Sequence, residues 1–294
     1  MITDVLLPAA LAFIMFSVGL ALKAEDFREV FLRPGPLLIG LCGQLLLVPC
    51  AALLTALAFG LPPALAVGLL ILAACPGGAS SGFLTHLAGG NAALSLSLTV
   101  ISSLAALLSF PLLVQVVLAD FGGGALAGGA LQLAALPVER LIGSVLVVTT
   151  LPIVAGMLLR HKAPAFTRRR EAAIGRIATW FFAAIVAGTF ASHQHTILDN
   201  LLAVGPAALT LNLAAMGGGY ALVRLARAAP RDAVAVAMEC GLQNAGLAIF
   251  VALVLLRQPA LAVAAVVYAL TMNFGALGLV FAAKRRAMRV EFAR

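Results

Sequence analysis

Nine apolar runs, each near the ~20 residues that a helix needs to cross a hydrocarbon core, constrain this chain more than any other feature. They cover residues 3–22, 35–57, 63–87, 92–118, 138–160, 174–192, 197–225, 233–256 and 259–283. Only 10% of the residues are charged and the mean hydropathy is +1.12, whereas a soluble domain carries about 25% charged residues. The polar surface of a water-soluble fold is missing. Inside a bilayer every backbone N–H and C=O needs a partner within the protein, so the runs read as helices and the chain as an all-α polytopic membrane protein. The opening "MITDVLLPAALAFIMF" lacks the cationic region of a signal peptide, and its apolar run is expected to be retained as a span. Cys42, Cys50, Cys75 and Cys240 all fall inside apolar runs, as packing residues do.

Charge placement gives the orientation. Of the 19 Lys and Arg residues, only Arg140 and Arg257 stay outside when the N-terminus is placed outside. The positive-inside rule favours that arrangement and puts the C-terminus in the cytoplasm. The stretch "RHKAPAFTRRREAAIGR" is then a cytoplasmic loop that sets topology, and the net charge of +8 implies no nucleic-acid partner. No N-x-S/T sequon occurs, in keeping with a bacterial inner membrane.

The Gly-rich segment 119–137 reads as an outer loop between a first repeat, 1–118, and a second, 138–283, with a cytoplasmic tail at 284–294. In each half the penultimate span is interrupted, by "CPGGASSG" at 75–82 and by "ECGLQNAG" at 239–246. Glycine and proline weaken the helical ladder. The third and eighth spans run in opposite directions, and matching broken helices of opposite sense indicate an inverted-repeat transporter with its site at the crossing. Two independently kinked helices remain the alternative.

Glu239 is the one acid well inside a span, where a charge costs roughly 2.5–3.5 kcal/mol. Gln243 follows at i+4, on the same face of a regular helix. Ser95 and Thr99 share that spacing in the fourth span, Ser80 and Ser81 flank the glycines of the third, and Gln44 lies in the second. An oxygen-rich set with one negative charge suits a hard cation such as sodium better than a transition metal. Exposed helix N-termini beside it favour an anionic substrate. A protonated acid bonded to a neighbouring helix is the structural alternative for Glu239. Ser81 with His86 would give an intramembrane serine hydrolase, but no orienting acid accompanies them. A passive channel would want rings of like groups along a pore.

The stretches "IMFSVGLALKAEDFREVFLRPGP", "GQLLLVP", "CPGGASSGFLTHLAGGNAALSLSLTVISSL" and "ECGLQNAGLAIF" resemble the bile acid:sodium symporter family over nearly the whole chain, in a form with nine helices instead of ten. The resemblance implies a panel domain of spans 1, 5 and 6 beside a core of spans 2–4 and 7–9. Spans 3 and 8 would cross at their unwound centres. It implies one sodium site from Ser81, Ser95, Thr99 and Glu239 with position 82, and another from Gln44, Glu239 and Gln243 with the carbonyls of Cys240 and Leu242. Asn244 and Asn273, with Ala79 and Ser80, would face the substrate. The family commonly has Asn where this chain has Gly82. The activity implied is sodium-coupled symport of an organic anion, a bile acid or smaller carboxylate, by alternating access, with Na+ as coupling ion and no cofactor. A related carrier that uses protons or exports an oxyanion such as arsenite, with Cys75 as a thiol, is the alternative of the same fold. A ligand-sensing receptor is the alternative of another class.

Overall fold

The computed structural model describes residues 2–22, 30, 32, 34–121 and 137–292. Among them there are helices and no strands, and the helices form nine rods, each matching one predicted span. The first rod is α1 (Ile2–Ala21) and the second α2 (Pro34–Ala58). The third consists of α3 (Pro63–Ala74) and α4 (Ser81–Leu87), and the fourth is α5 (Ala92–Phe121). Next come α6 (Val138–Lys162), α7 (Pro164–Ser192) and α8 (Gln194–Leu225). The eighth rod is broken into α9 (Pro230–Gly241) and α10 (Ala245–Leu255), and α11 (Pro259–Phe292) is the ninth. Six of these helices are long and apolar enough to cross a membrane unaided; α1 and the two broken rods complete the set.

Several boundaries differ from expectation. The stretch expected as a cytoplasmic loop is helical except at Ala163, which joins α6 to α7 with φ −133° and ψ 61°. Pro164 starts α7, where its missing N–H is harmless, and the long Arg side chains can reach water from a helix as readily as from a loop. His193 is likewise the only residue between α7 and α8. The backbone expected as a tail from 284 continues α11 to Phe292. Of the expected outer loop, 122–136 lie outside the described residues, as do Lys23, Arg28, Arg33 and Arg294.

α1 packs along α6 and α7, while α8 packs on α9 and α11, and α3 lies between α5 and α11. Glycines permit the tightest contacts. A Cβ at Gly19 of α1 would lie 2.1 Å from the Ile153 carbonyl oxygen of α6, and one at Gly156 of α6 would lie 2.3 Å from that of Phe16. Small residues let membrane helices approach in this way, where van der Waals contact replaces the hydrophobic effect. Residues Leu65–Ala74 of α3, all of Ala245–Phe250 and residues 261–269 of α11 are buried. The broken rods therefore occupy the centre. Of the cysteines, Cys75 and Cys240 are buried as expected, but Cys42 and Cys50 are exposed on α2.

Three rods contain one wide π turn, at Gly43–Leu47, Leu146–Thr150 and Val251–Leu255. In the first two the next residue donates five positions back, Val48 N–H to Gly43 and Leu151 N–H to Leu146. Pro49 and Pro152 follow directly. A proline ring collides with the carbonyl four residues earlier, and the widened turn relieves that collision.

Candidate functional site

The two breaks meet. Gly77 and Gln243 lie opposite each other as an antiparallel pair. Gly78 N–H donates to the Leu242 carbonyl, and Asn244 N–H donates to the Pro76 carbonyl at 3.0 Å. Each break thus satisfies the other's backbone, which is required where no water is available. The second break is narrower than its sequence suggested. Glu239, Cys240 and Gly241 remain helical, and only Leu242, Gln243 and Asn244 leave the ladder.

Glu239 is fully buried. Its Oε2 accepts from Thr99 Oγ1 at 2.9 Å and from Ser95 Oγ at 3.4 Å. Ser81 Oγ lies 3.1 Å from Thr99 Oγ1. Thr99 has one hydroxyl proton, so when it donates to the carboxylate, Ser81 donates to Thr99. The i, i+4 pair on α5 therefore converges on Glu239 as its spacing required, and Ser81 joins at the start of α4. Oε1 has no hydrogen-bond partner among the described residues. It occupies the space beside Gly77, where a Cβ would lie 1.8 Å from it. That glycine is what lets a carboxylate enter the crossing.

Gln243 does not share a helical face with Glu239, because Leu242, at φ −106° and ψ 96°, redirects the chain between them. It turns instead to Gln44. Gln44 Nε2 donates to Gln243 Oε1 at 2.8 Å and Gln243 Nε2 donates back to Gln44 Oε1 at 3.3 Å. Each amide also donates to a carbonyl freed at a break, Gln44 to Cys75 at 2.9 Å and Gln243 to Cys240 at 2.7 Å. Gln44 lies in the first π turn and is 2% exposed. Such a turn re-aims side chains, and here it accompanies an amide directed into the crossing.

The remaining expected site residues are dispersed. A Cβ at Gly82 would lie 2.6 Å from Leu96 Cδ2, so the side-chain direction at that position is filled by leucine. Asn244 caps α10, its Oδ1 accepting from Leu247 N–H at 3.0 Å, and its Nδ2 lies 3.5 Å from Met15 Sδ of α1. Ala79 is exposed and Ser80 half-buried in front of α4. Asn273 is half-buried and donates to Ala269 of its own helix at 3.1 Å. His86 is exposed. A cavity of about 530 Å³ lies between α8 and α11, lined by Leu213, Met216, Tyr220, Phe274 and Gly278 among others. Asn244 and Asn273 are not among its lining residues.

Two contributors escaped the sequence reading. Asn212 of α8 and Tyr268 of α11 both donate to the Gly241 carbonyl at 2.8 Å. They were visible as an amide and a phenol inside apolar spans, but no spacing linked them to the break. Among the described residues no group of three His, Cys, Asp or Glu side chains could hold a metal ion. The one ion pair among the described residues joins Arg160 to Glu171 and does not involve Glu239.

The family model for the sodium/bile acid symporters matches residues 8–200. An uncharacterized sodium-dependent transporter of Bacillus subtilis, YocS, is 30% identical over 239 residues, covering 81% of this chain and 70% of its own. A probable chloroplast sodium/metabolite cotransporter of rice, BASS2, is 30% identical over 277 residues, 93% of this chain and 62% of its own. The rabbit ileal sodium/bile acid cotransporter is 29% identical over 245 residues, 83% of this chain and 67% of its own. A multi-pass membrane protein with two broken helices crossing at a buried carboxylate, this chain belongs to the sodium/bile acid symporter family and is a transporter rather than an enzyme.

Proposed function

We propose that this transporter couples sodium entry to uptake of an organic anion, such as a bile acid or a small carboxylate, by alternating access. The observation that carries the reading is the Glu239 carboxylate, fully buried, with hydroxyls for partners on one oxygen and, among the described residues, none on the other. A buried charge needs an opposite charge as well as hydrogen bonds, and a hard monovalent cation supplies that charge to an oxygen-lined site. Ser81, Ser95, Thr99 and Glu239 hold the first sodium ion. Gln44, Gln243 and Glu239, with the carbonyls of Cys240 and Leu242, hold the second. For that ion the two glutamines exchange their reciprocal bonds for cation contacts by turning their amide oxygens inward. Gly82 contributes no side-chain oxygen.

The anion binds on the side of the crossing where Ala79 is exposed and Ser80 half-buried, and Asn244 and Asn273 contribute once α1 moves off the Met15 contact. The close packing of α1, α6 and α7 supports a panel that rocks against a core of the remaining rods. The reciprocal hydrogen bonds between the breaks support inverted repeats. The protein lies in an inner membrane with its N-terminus outside and lipid around its apolar faces.

The test is uptake into vesicles from a panel of carboxylates and bile acids, with and without an inward sodium gradient. Two sodium ions with a monoanion carry one net charge, for which a potential of 100 mV supplies ~2.3 kcal/mol. The expected result is sodium-dependent, electrogenic uptake of a monoanion. Uptake driven by a proton gradient and indifferent to sodium overturns the coupling and favours the proton-coupled carrier.

A further inference from the structure

The carbonyls freed at the two breaks are held in matching places by different means. Cys75 and Gly241 each lie two residues before the opposed pair Gly77 and Gln243. The Cys75 carbonyl accepts from Gln44 of α2, whose same Nε2 also donates to Gln243. The Gly241 carbonyl accepts from two donors on two helices, Asn212 Nδ2 and Tyr268 Oη. Cys240 and Leu242, the carbonyl ligands of the second sodium site proposed above, flank Gly241 directly.

We infer that Asn212 and Tyr268 are positioning residues that fix the Cys240–Leu242 carbonyls for sodium, an assignment that rests on the proposed second site. Gln44 cannot perform this task, because its amide must change partners when the ion binds. Asn212 and Tyr268 are both fully buried, and their bonds to Gly241 involve neither Gln44 nor Gln243, so their grip persists while the two glutamines rearrange.

Glycines keep the clamp in place. A Cβ at Gly275 of α11 would lie 2.1 Å from Asn212 Oδ1, and one at Gly241 would lie 2.1 Å from Met216 Cγ. Asn212 Oδ1 has no hydrogen-bond partner of its own among the described residues. An apolar side chain would avoid that cost, so retention of an amide here fits a need for its N–H. Among the described residues Tyr268 is the largest fully buried side chain, and its hydroxyl reaches the same carbonyl from α11.

The experiment compares purified full-length wild type with Tyr268→Phe, Asn212→Ala and Gly275→Ala. Thermal stability is measured against sodium concentration, with choline replacing sodium. Tyr268→Phe keeps the ring and removes one hydrogen bond, and Gly275→Ala leaves both donors but displaces Asn212. A positioning role raises the sodium concentration for half-maximal stabilisation about threefold to tenfold in Tyr268→Phe, the range that one buried hydrogen bond supplies. Asn212→Ala and Gly275→Ala raise it at least as much. In uptake assays the substrate KM at saturating sodium stays at the wild-type value. A uniform loss of stability with and without sodium, at an unchanged sodium midpoint, overturns the inference and makes the clamp merely structural. Absence of any sodium response in wild type overturns the sodium-site reading itself, and the inference with it.

Discussion

The two breaks have the same backbone arrangement and opposite contents. Each donates one N–H to the other and accepts one in return across Gly77 and Gln243. The first, at "CPGGAS", contributes a thiol, a proline, two glycines and Ser80, with no charge. The second contributes Gln243 and Asn244 and begins three residues after Glu239. One break supplies the space and the other supplies the charge that fills it, which is why neither forms a site alone. The difference also explains how a carboxylate can lie so deep. Its Oε1 takes the volume that a side chain at position 77 would need, and its Oε2 is bonded from α5.

The comparison breaks most severely if the charge is removed. Glu239→Ala is expected to lower sodium-coupled uptake by roughly a hundredfold or more, since both proposed ions lose their formal counter-charge. Membrane insertion should survive, because the span no longer carries a buried acid. Wild-type uptake by this variant would show that the charge is not the coupling element.

Removing the space should cost nearly as much. Gly77→Ala places a Cβ 1.8 Å from Oε1, so the carboxylate must turn away or the breaks must separate. The expected result is a loss of about tenfold to a hundredfold in sodium-dependent uptake, by the sensitivity of a site to small misplacements. Gly143→Ala, with nothing within 4 Å of the added Cβ, is the control and should behave as wild type. Equal behaviour of the two variants would mean that the breaks do not share this volume.

A smaller effect sharpens the roles of the hydroxyls. Thr99→Val removes the 2.9 Å bond to Glu239 and the partner of Ser81. It is expected to raise half-saturating sodium by about threefold to tenfold, the scale of one buried hydrogen bond. Ser95→Ala, which removes the longer 3.4 Å bond, should raise it by no more than about threefold. The reverse order in titrations of uptake against sodium would assign the closer contact to Ser95.

The smallest expected effect concerns Gly82. The direction of its absent side chain is taken by Leu96, so Gly82→Asn alone should leave half-saturating sodium within about twofold of wild type, a difference of under 0.5 kcal/mol. Combined with Leu96→Ala the asparagine gains room, and half-saturating sodium should fall. A fall in the single variant would show that the asparagine displaces Leu96 by itself.

Much of this architecture was legible in the residues. Apolar length gave the nine rods, "CPGG" marked the first break, and the spacing of Ser95 and Thr99 placed two hydroxyls on one face. The limits of that reading have physical causes. Periodicity presumes a regular helix, so it put Glu239 and Gln243 on one face although the chain turns at Leu242. Charge was read as loop at "RHKAPAFTRRREAAIGR", but a helix leaving the membrane can carry the same charges. Asn212 and Tyr268 were hidden because their partner is a backbone carbonyl, and no residue type announces a freed carbonyl. The π turns before Pro49 and Pro152 were missed because proline was read only as a helix breaker.

The one-residue joints carry a mechanical consequence. Were α1, α6 and α7 to swing as a panel against the other rods, the covalent chain would cross between the groups three times. His193 alone makes one of those crossings. A tether of one residue has no slack. α7 and α8, at 29 and 32 residues, are levers of about 43 and 48 Å at ~1.5 Å per residue, joined at a single point. Rotation about that point is free of chain strain and sliding at that end is not. The stroke of such a machine would be least at His193 and greatest at the far ends of the two levers, near Pro164 and Leu225.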